Sequence, residues 1–190
     1  THTYAAYGTF TVSLIVTNNF GCKDTNVTTV IVHPLPVPNF TSTPVCLGFQ
    51  TCFNDLSTIP TGTITGWNWN LGEPSNPANI STVQNPCITY AAAGTFNVML
   101  TITSNNGCQS NTTLQAVVKP LPTASFTATA PCLDVATVLT NASTSPAGDP
   151  INGWSWTMLS GLPSSASTQN ASTTFPTSGT HSVALIVTTT

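Results

Sequence analysis

An all-β fold, arranged as tandem two-layer sheet sandwiches, is the class this sequence predicts, and three observations predict it. Charged residues make up 4 % of the 190 positions, against about a quarter in an average soluble domain; Thr, Ser and Asn carry the polarity instead. Thr suits a pleated sheet, while Asn, Gly and Pro suit turns. Apolar residues also recur at every second position, as in Phe96, Val98, Leu100 and Ile102, the period of a strand with one buried face. Finally, the sequence repeats itself, which is the signature of a modular array.

The repeat is read most directly from one long segment. Tyr4-Ala-Ala-Tyr-Gly-Thr-Phe-Thr-Val-Ser-Leu-Ile-Val-Thr returns as Tyr90-Ala-Ala-Ala-Gly-Thr-Phe-Asn-Val-Met-Leu-Thr-Ile-Thr. It returns again, more altered, as Phe175-Pro-Thr-Ser-Gly-Thr-His-Ser-Val-Ala-Leu-Ile-Val-Thr. Cys22 matches Cys108, Cys46 matches Cys132, and the pair Trp67/Trp69 matches Trp154/Trp156. The offset is 86 from Tyr4 to Tyr90, 87 from Trp67 to Trp154 and 85 from Tyr90 to Phe175. Residues 1–33 then read as the C-terminal part of a first repeat, 34–119 as a complete second, and 120–190 as a third that lacks its last strand. Pro34-Leu-Pro36 and Pro120-Leu-Pro122 form the junctions, short and stiff because proline fixes φ.

Within the complete repeat the pattern predicts seven strands in order. They are 39–43, 49–56, 66–71 with the Trp pair, two short ones near 79–83 and 87–90, then 95–103 and 109–118. Ser104-Asn-Asn-Gly107 joins the last two as a hairpin turn. Seven short strands punctuated by turns describe a β-sandwich.

Trp67-Asn-Trp69-Asn-Leu-Gly-Glu73, Asn85-Pro-Cys-Ile-Thr-Tyr90 and Gly94-Thr-Phe-Asn-Val-Met-Leu-Thr-Ile together resemble the polycystic-kidney-disease (PKD) type of immunoglobulin-like domain. The Gly-Cys pair after the last of these, followed by Pro-Leu-Pro, is similar to PKD arrays in large surface proteins of Bacteroidota-like bacteria. The resemblance implies tandem immunoglobulin-like sandwiches. Asn70 and Glu73 stand at the family's two acidic positions, and the third repeat reads Trp154-Ser-Trp-Thr-Met-Leu-Ser160. The charged oxygen ligands that Ca²⁺ would need are mostly gone, so no metal or other cofactor is expected.

Six cysteines and no Cys-x-x-Cys pair point to disulfides in an oxidising compartment rather than to zinc. Cys52 and Cys87 occur only in the complete repeat; Val138 and Ser172 replace them together in the third. With Phe53 and Tyr90 facing inward, alternation puts both cysteines on the outer face. The second and fifth strands neighbour each other in this type of sandwich, so a Cys52–Cys87 bond is expected. Cys46 and Cys132 precede a second strand, whereas Cys22 and Cys108 follow a sixth, at opposite ends of a sandwich. Their connectivity stays open. Cys46 could meet a cysteine just past Thr190 and Cys108 one in the first repeat; Cys22–Cys46 and Cys108–Cys132 share a spacing; free thiols are the third option.

The sequence argues against catalysis. His2 and His181 start equivalent strands and His33 lies in a junction, and no carboxylate accompanies any of them at a recurring position. Asp24, Asp55, Asp134 and Asp149 sit near turns, where Asp bonds local backbone. The Trp pairs read as a core layer. Tyr7 and Phe20 have small or polar counterparts, Ala93 and Asn106, and so read as exposed contact points. Two basic residues, Lys23 and Lys119, cannot neutralise a run of phosphates, which excludes nucleic acid; no apolar run is long enough for a membrane helix. The expected role is structural: an extracellular rigid spacer or self-assembling fibre unit of a surface protein, with other copies of the chain as partners. The competing expectation is a glycan- or collagen-binding module attached to a secreted hydrolase.

Overall fold

The computed structural model describes residues 1–189 and is β throughout, apart from one turn of 3-10 helix. Its contacts divide the chain into two compact units, residues 1–119 and the residues from Pro120 onward.

The first unit opens with a hairpin, β1 (Gly8–Thr17) and β2 (Lys23–Val32), paired antiparallel from Gly8↔Val32 to Thr17↔Lys23. Asn18 organises the turn: its Oδ1 accepts from the N–H groups of Phe20 and Cys22. The hairpin exposes both faces. Leu14 is 63 % exposed and Val16 53 %, although each stands where the complete repeat places a buried residue.

The complete repeat follows as β3 (Phe40–Ser42), β4 (Val45–Cys46), β5 (Thr51–Asp55), β6 (Ile64–Asn70), β7 (Ile80–Ser81), β8 (Cys87–Ile88), β9 (Gly94–Ser104) and β10 (Gln109–Lys119). Two sheets form, β3-β5-β8 and β4-β10-β9-β6-β7. This is an immunoglobulin-like sandwich. The expected strands are present, and β4 is an addition. It crosses to the second sheet and runs parallel to β10, pairing Val45 with Val118 and Cys46 with Lys119. Cys46 therefore lies in a strand rather than in the loop expected for it.

Alternation fills the space between the sheets. Phe40 and Phe53 from one sheet meet Trp69, Val98, Leu100, Ile102, Ala116 and Val118 from the other, with Trp67 and Phe96 packed at the margin. Phe40 and Trp69 pack edge to face at 5.0 Å, an arrangement favoured by the ring quadrupoles. Gly72 permits a close passage: its φ is +84°, and a Cβ there would meet the Asn97 carbonyl oxygen at 2.7 Å.

The second unit carries β11 (Phe126–Ala128), β12 (Thr137–Asn141), β13 (Ile151–Met158), β14 (Ser165–Ala166), β15 (Ala171–Thr173) and β16 (Val183–Thr189), in two sheets, β11-β12-β15 and β14-β13-β16. The registers repeat. Trp69 pairs with Leu100 as Trp156 pairs with Leu185, and a bulge separates Ile64 from Gly66 as one separates Ile151 from Gly153. Leu139, Trp156, Met158 and Ala171 form its core. Among the described residues β16 is an edge strand, whereas its counterpart β9 lies between β6 and β10.

Candidate interaction surface

Cys52 and Cys87 are directly opposed in the β5–β8 ladder, and their sulfurs are bonded. Phe53 and Tyr90 are buried beside them, while Cys52 faces outward. The bond thus braces the outside of the smaller sheet and leaves the core alone. Cys22, Cys46, Cys108 and Cys132 are free thiols. Cys46 opposes the last residue of β10 and Cys108 precedes its first. Eleven rises of about 3.3 Å separate the two, so they cannot bridge within one sandwich.

Two carboxylates, Asp55 and Glu73, hold loops. Asp55 lies at the end of β5. Its Oδ1 accepts from Ser57 N–H, and its Oδ2 accepts from Trp67 Nε1 at 2.7 Å and Gln84 Nε2 at 3.1 Å. Burial pulls its pKa upward, but the hydrogen bonds from Ser57, Trp67 and Gln84 outweigh that and hold the carboxyl below its ordinary value. Glu73 is 7 % exposed. Its oxygens accept from Ala91 N–H and Asn76 Nδ2, both at 2.8 Å, and the Glu73 backbone N–H donates to Asn79 Oδ1. Tyr90 donates to the Leu71 carbonyl at 2.6 Å. Burial, with the Glu73 carboxylate second, pushes its phenol pKa up to about 12. Sequence reading treated Asp55 as a turn residue and Glu73 as an altered family position. Both span elements distant in sequence, which no local signal announces.

The remaining candidates do not converge. His181 stacks on Phe175 at 4.1 Å, with its Nε2 at 2.8 Å from the Thr177 carbonyl; Tyr4–Phe10 and Tyr90–Phe96 stack at the same six-residue spacing. Tyr7 is 53 % and Phe20 85 % exposed, but Tyr7 precedes β1 and Phe20 lies in the turn that follows it. The length of β1 separates them, so they do not make one platform. No group of three His, Cys, Asp or Glu that could hold a metal occurs among the described residues, and no helix there is long and apolar enough to cross a membrane.

One concavity stands out, about 340 Å³ in the second unit beside the start of β16. It is lined by Leu133, Leu139, Phe175 and Val183 together with His181 and Gly179.

Two sheets of three and five strands, a sheet-switching β4 and a Trp-bearing strand in the core make up the sandwich from Phe40 to Lys119. Residues 33–120 match the PKD domain family. Two solved PKD1 domains are similar. That of Vibrio anguillarum Epp is 24 % identical, with 47 % of this chain and 100 % of that one covered at a TM-score of 0.42. That of the Vibrio cholerae metalloprotease PrtV is 25 % identical, covering 44 % and 96 % at 0.39. A carbohydrate-binding module of the β-sandwich superfamily is 16 % identical over 80 % of this chain and 83 % of its own, at 0.41. No curated protein matches the chain. Against the PKD-matched segment, the second unit differs at Cys52 and Cys87, where it has Val138 and Ser172, and at Asp55, where it has Asn141.

Proposed function

We propose that this chain is a non-catalytic structural segment of an extracellular surface protein, a rigid spacer or self-assembling fibre unit of the kind found in large bacterial surface arrays. In this reading residues 1–33, 34–119 and 120–190 belong to three successive repeats. The observation that carries the reading is what recurs and what does not. Core positions and strand register repeat between the units, as in Trp69/Trp156 and Leu100/Leu185. No carboxylate or histidine repeats with them: Asp55 becomes Asn141, Glu73 has no acidic counterpart, and His181 stands where Phe96 does. A repeated scaffold with unrepeated polar chemistry fits a mechanical role. The Cys52–Cys87 bond fits an oxidising, extracellular setting, and the 4 % charge content leaves little like-charge repulsion between copies.

Light scattering and negative-stain microscopy over a concentration series test this. Elongated particles whose mass grows with concentration are expected; compact monomers at every concentration overturn the assembly role. The alternative, a glycan- or collagen-binding module of a secreted hydrolase, draws on the exposed rings of Tyr7 and Phe20. Retention on insoluble polysaccharide or collagen, lost in Phe20→Ala, would establish it instead.

A further inference from the structure

The sandwich from Phe40 to Lys119 keeps its outermost strands short: β3 spans Phe40–Ser42, β4 Val45–Cys46, β7 Ile80–Ser81 and β8 Cys87–Ile88. The shortness of β4 has a cost. It pairs with β10 only at Val118 and Lys119, so among the described residues no strand borders Gln109–Val117 on that side. Proteins blunt such edges with charge, proline or a bulge. Gln109-Ser-Asn-Thr-Thr-Leu-Gln-Ala-Val117 holds no charged residue, proline or glycine, and its register with β9 runs without a shift, unlike that of β6 with β9.

The peptide groups along this edge alternate in direction. Ser104 N–H donates to the Cys108 carbonyl across the turn, whereas Leu47 N–H donates to the Lys119 carbonyl from the other side. Hydrogen-bonded and non-bonded pairs alternate in an antiparallel ladder. Ser110, Thr112, Leu114 and Ala116 therefore turn N–H and C=O towards β9, and Gln109, Asn111, Thr113 and Gln115 turn theirs outward. At Val117 the edge closes, because Val45 opposes the next residue. We propose that this edge pairs with the same edge of a second copy of the chain, antiparallel about a two-fold axis at Thr112. Register selects that axis. It sets Gln109 against Gln115 and Asn111 against Thr113, in both directions, so each outward N–H and C=O of those four residues meets a partner, and the pairing stops where β4 begins. An axis at Thr113 would set Gln109 against Val117, beside Val45; an axis at Asn111 would set Gln115 against Gly107, in the turn. Asn111, Thr113 and Gln115 are exposed, and the amides and hydroxyls brought together can hydrogen-bond without like charges opposing each other. The contact is strand addition at an open sheet edge. Being isologous, it closes at two copies and joins chains side by side. This inference rests on the assembly reading above and specifies one of its contacts.

The axis supplies the test. Thr112 faces its own counterpart as a non-hydrogen-bonded pair, with Cα atoms about 4.5 Å apart, within disulfide range. The full chain, with Cys22, Cys46, Cys108 and Cys132 replaced by serine, would carry Thr112→Cys. Oxidised glutathione takes the two electrons: two thiols become one disulfide, and glutathione disulfide becomes two thiols. A covalent dimer on a non-reducing gel is expected from Thr112→Cys and not from Thr113→Cys, which meets itself only about the rejected axis. Adding Asn111→Lys and Thr113→Lys, which oppose ammonium groups across the joint, should abolish the dimer. Both lysines replace exposed side chains, so an unchanged melting temperature shows that the variant still folds. Equal dimer from Thr112→Cys and Thr113→Cys, or a dimer indifferent to the lysines, overturns the inference. Growth of mass with concentration but no Thr112→Cys link refutes the edge joint and leaves assembly standing; monomers at every concentration refute both.

Discussion

Asp55 and Asn141 occupy the same site in successive units and treat the same tryptophan differently. Asp55 Oδ1 accepts from Ser57 N–H, just as Asn141 Oδ1 accepts from Ser143 N–H. That leaves Asp55 Oδ2 free to accept from Trp67 Nε1, but it puts the Asn141 amide, a donor, at the corresponding place. Trp154 Nε1 is indeed buried without a partner. An unsatisfied buried donor costs about 1–3 kcal/mol. Asn141→Asp should therefore stabilise the second unit by about 1 kcal/mol in urea unfolding, and no gain would refute the pairing. The charge has its own signature. The folded Asp55 carboxyl is the stronger acid, so its stabilisation is in place above the unfolded value of about 3.9 and is lost as pH falls through the lower folded value. Asp55→Asn should flatten that acid limb of the stability profile while lowering stability at pH 7. At the alkaline end, Tyr90 has a raised pKa. The unfolded phenol ionises first, so stability declines from about pH 10 towards about 12. Tyr90→Phe, the aromatic type found at Phe175, should remove that decline.

At the scale of elements, the disulfide is the clearest difference between the two sandwiches. It closes a separation of 35 residues across β5 and β8. Replacing it with the pair the second unit already uses, Cys52→Val and Cys87→Ser, should cost about 2–4 kcal/mol and leave the fold intact, because β12 and β15 pair without it. Equal unfolding midpoints with and without the bond would refute this. The outward phase of Cys52 was legible in the sequence because the neighbouring Phe53 is an unambiguous core residue, and alternation carries that information one step. The same logic placed β9 and β10 to within a residue or two. It could not find β4. Two residues have no measurable period, and Val45–Cys46 is a strand only because β10, more than sixty positions away, lies beside it. Asp55, Glu73 and the concavity were hidden for a related reason. Each depends on which distant segments meet at a sheet edge, and periodicity reports the face of a strand, not its neighbour.

For the molecule as a whole, burial sets an order of stability along the chain. The complete repeat buries eleven apolar residues in one cluster and carries a disulfide. The second unit buries four, with five more partly covered, and the β1–β2 hairpin leaves nearly every residue exposed. Since burial of apolar area is the main favourable term in folding, and local opening follows the least buried regions, the three segments should not open together. Hydrogen exchange read by mass spectrometry should find the amides of β1 and β2 exchanging fastest, those of β12, β13 and β16 at intermediate rates, and those of β9 and β10 slowest. Uniform protection across all three segments would show that stability is set by something other than these cores.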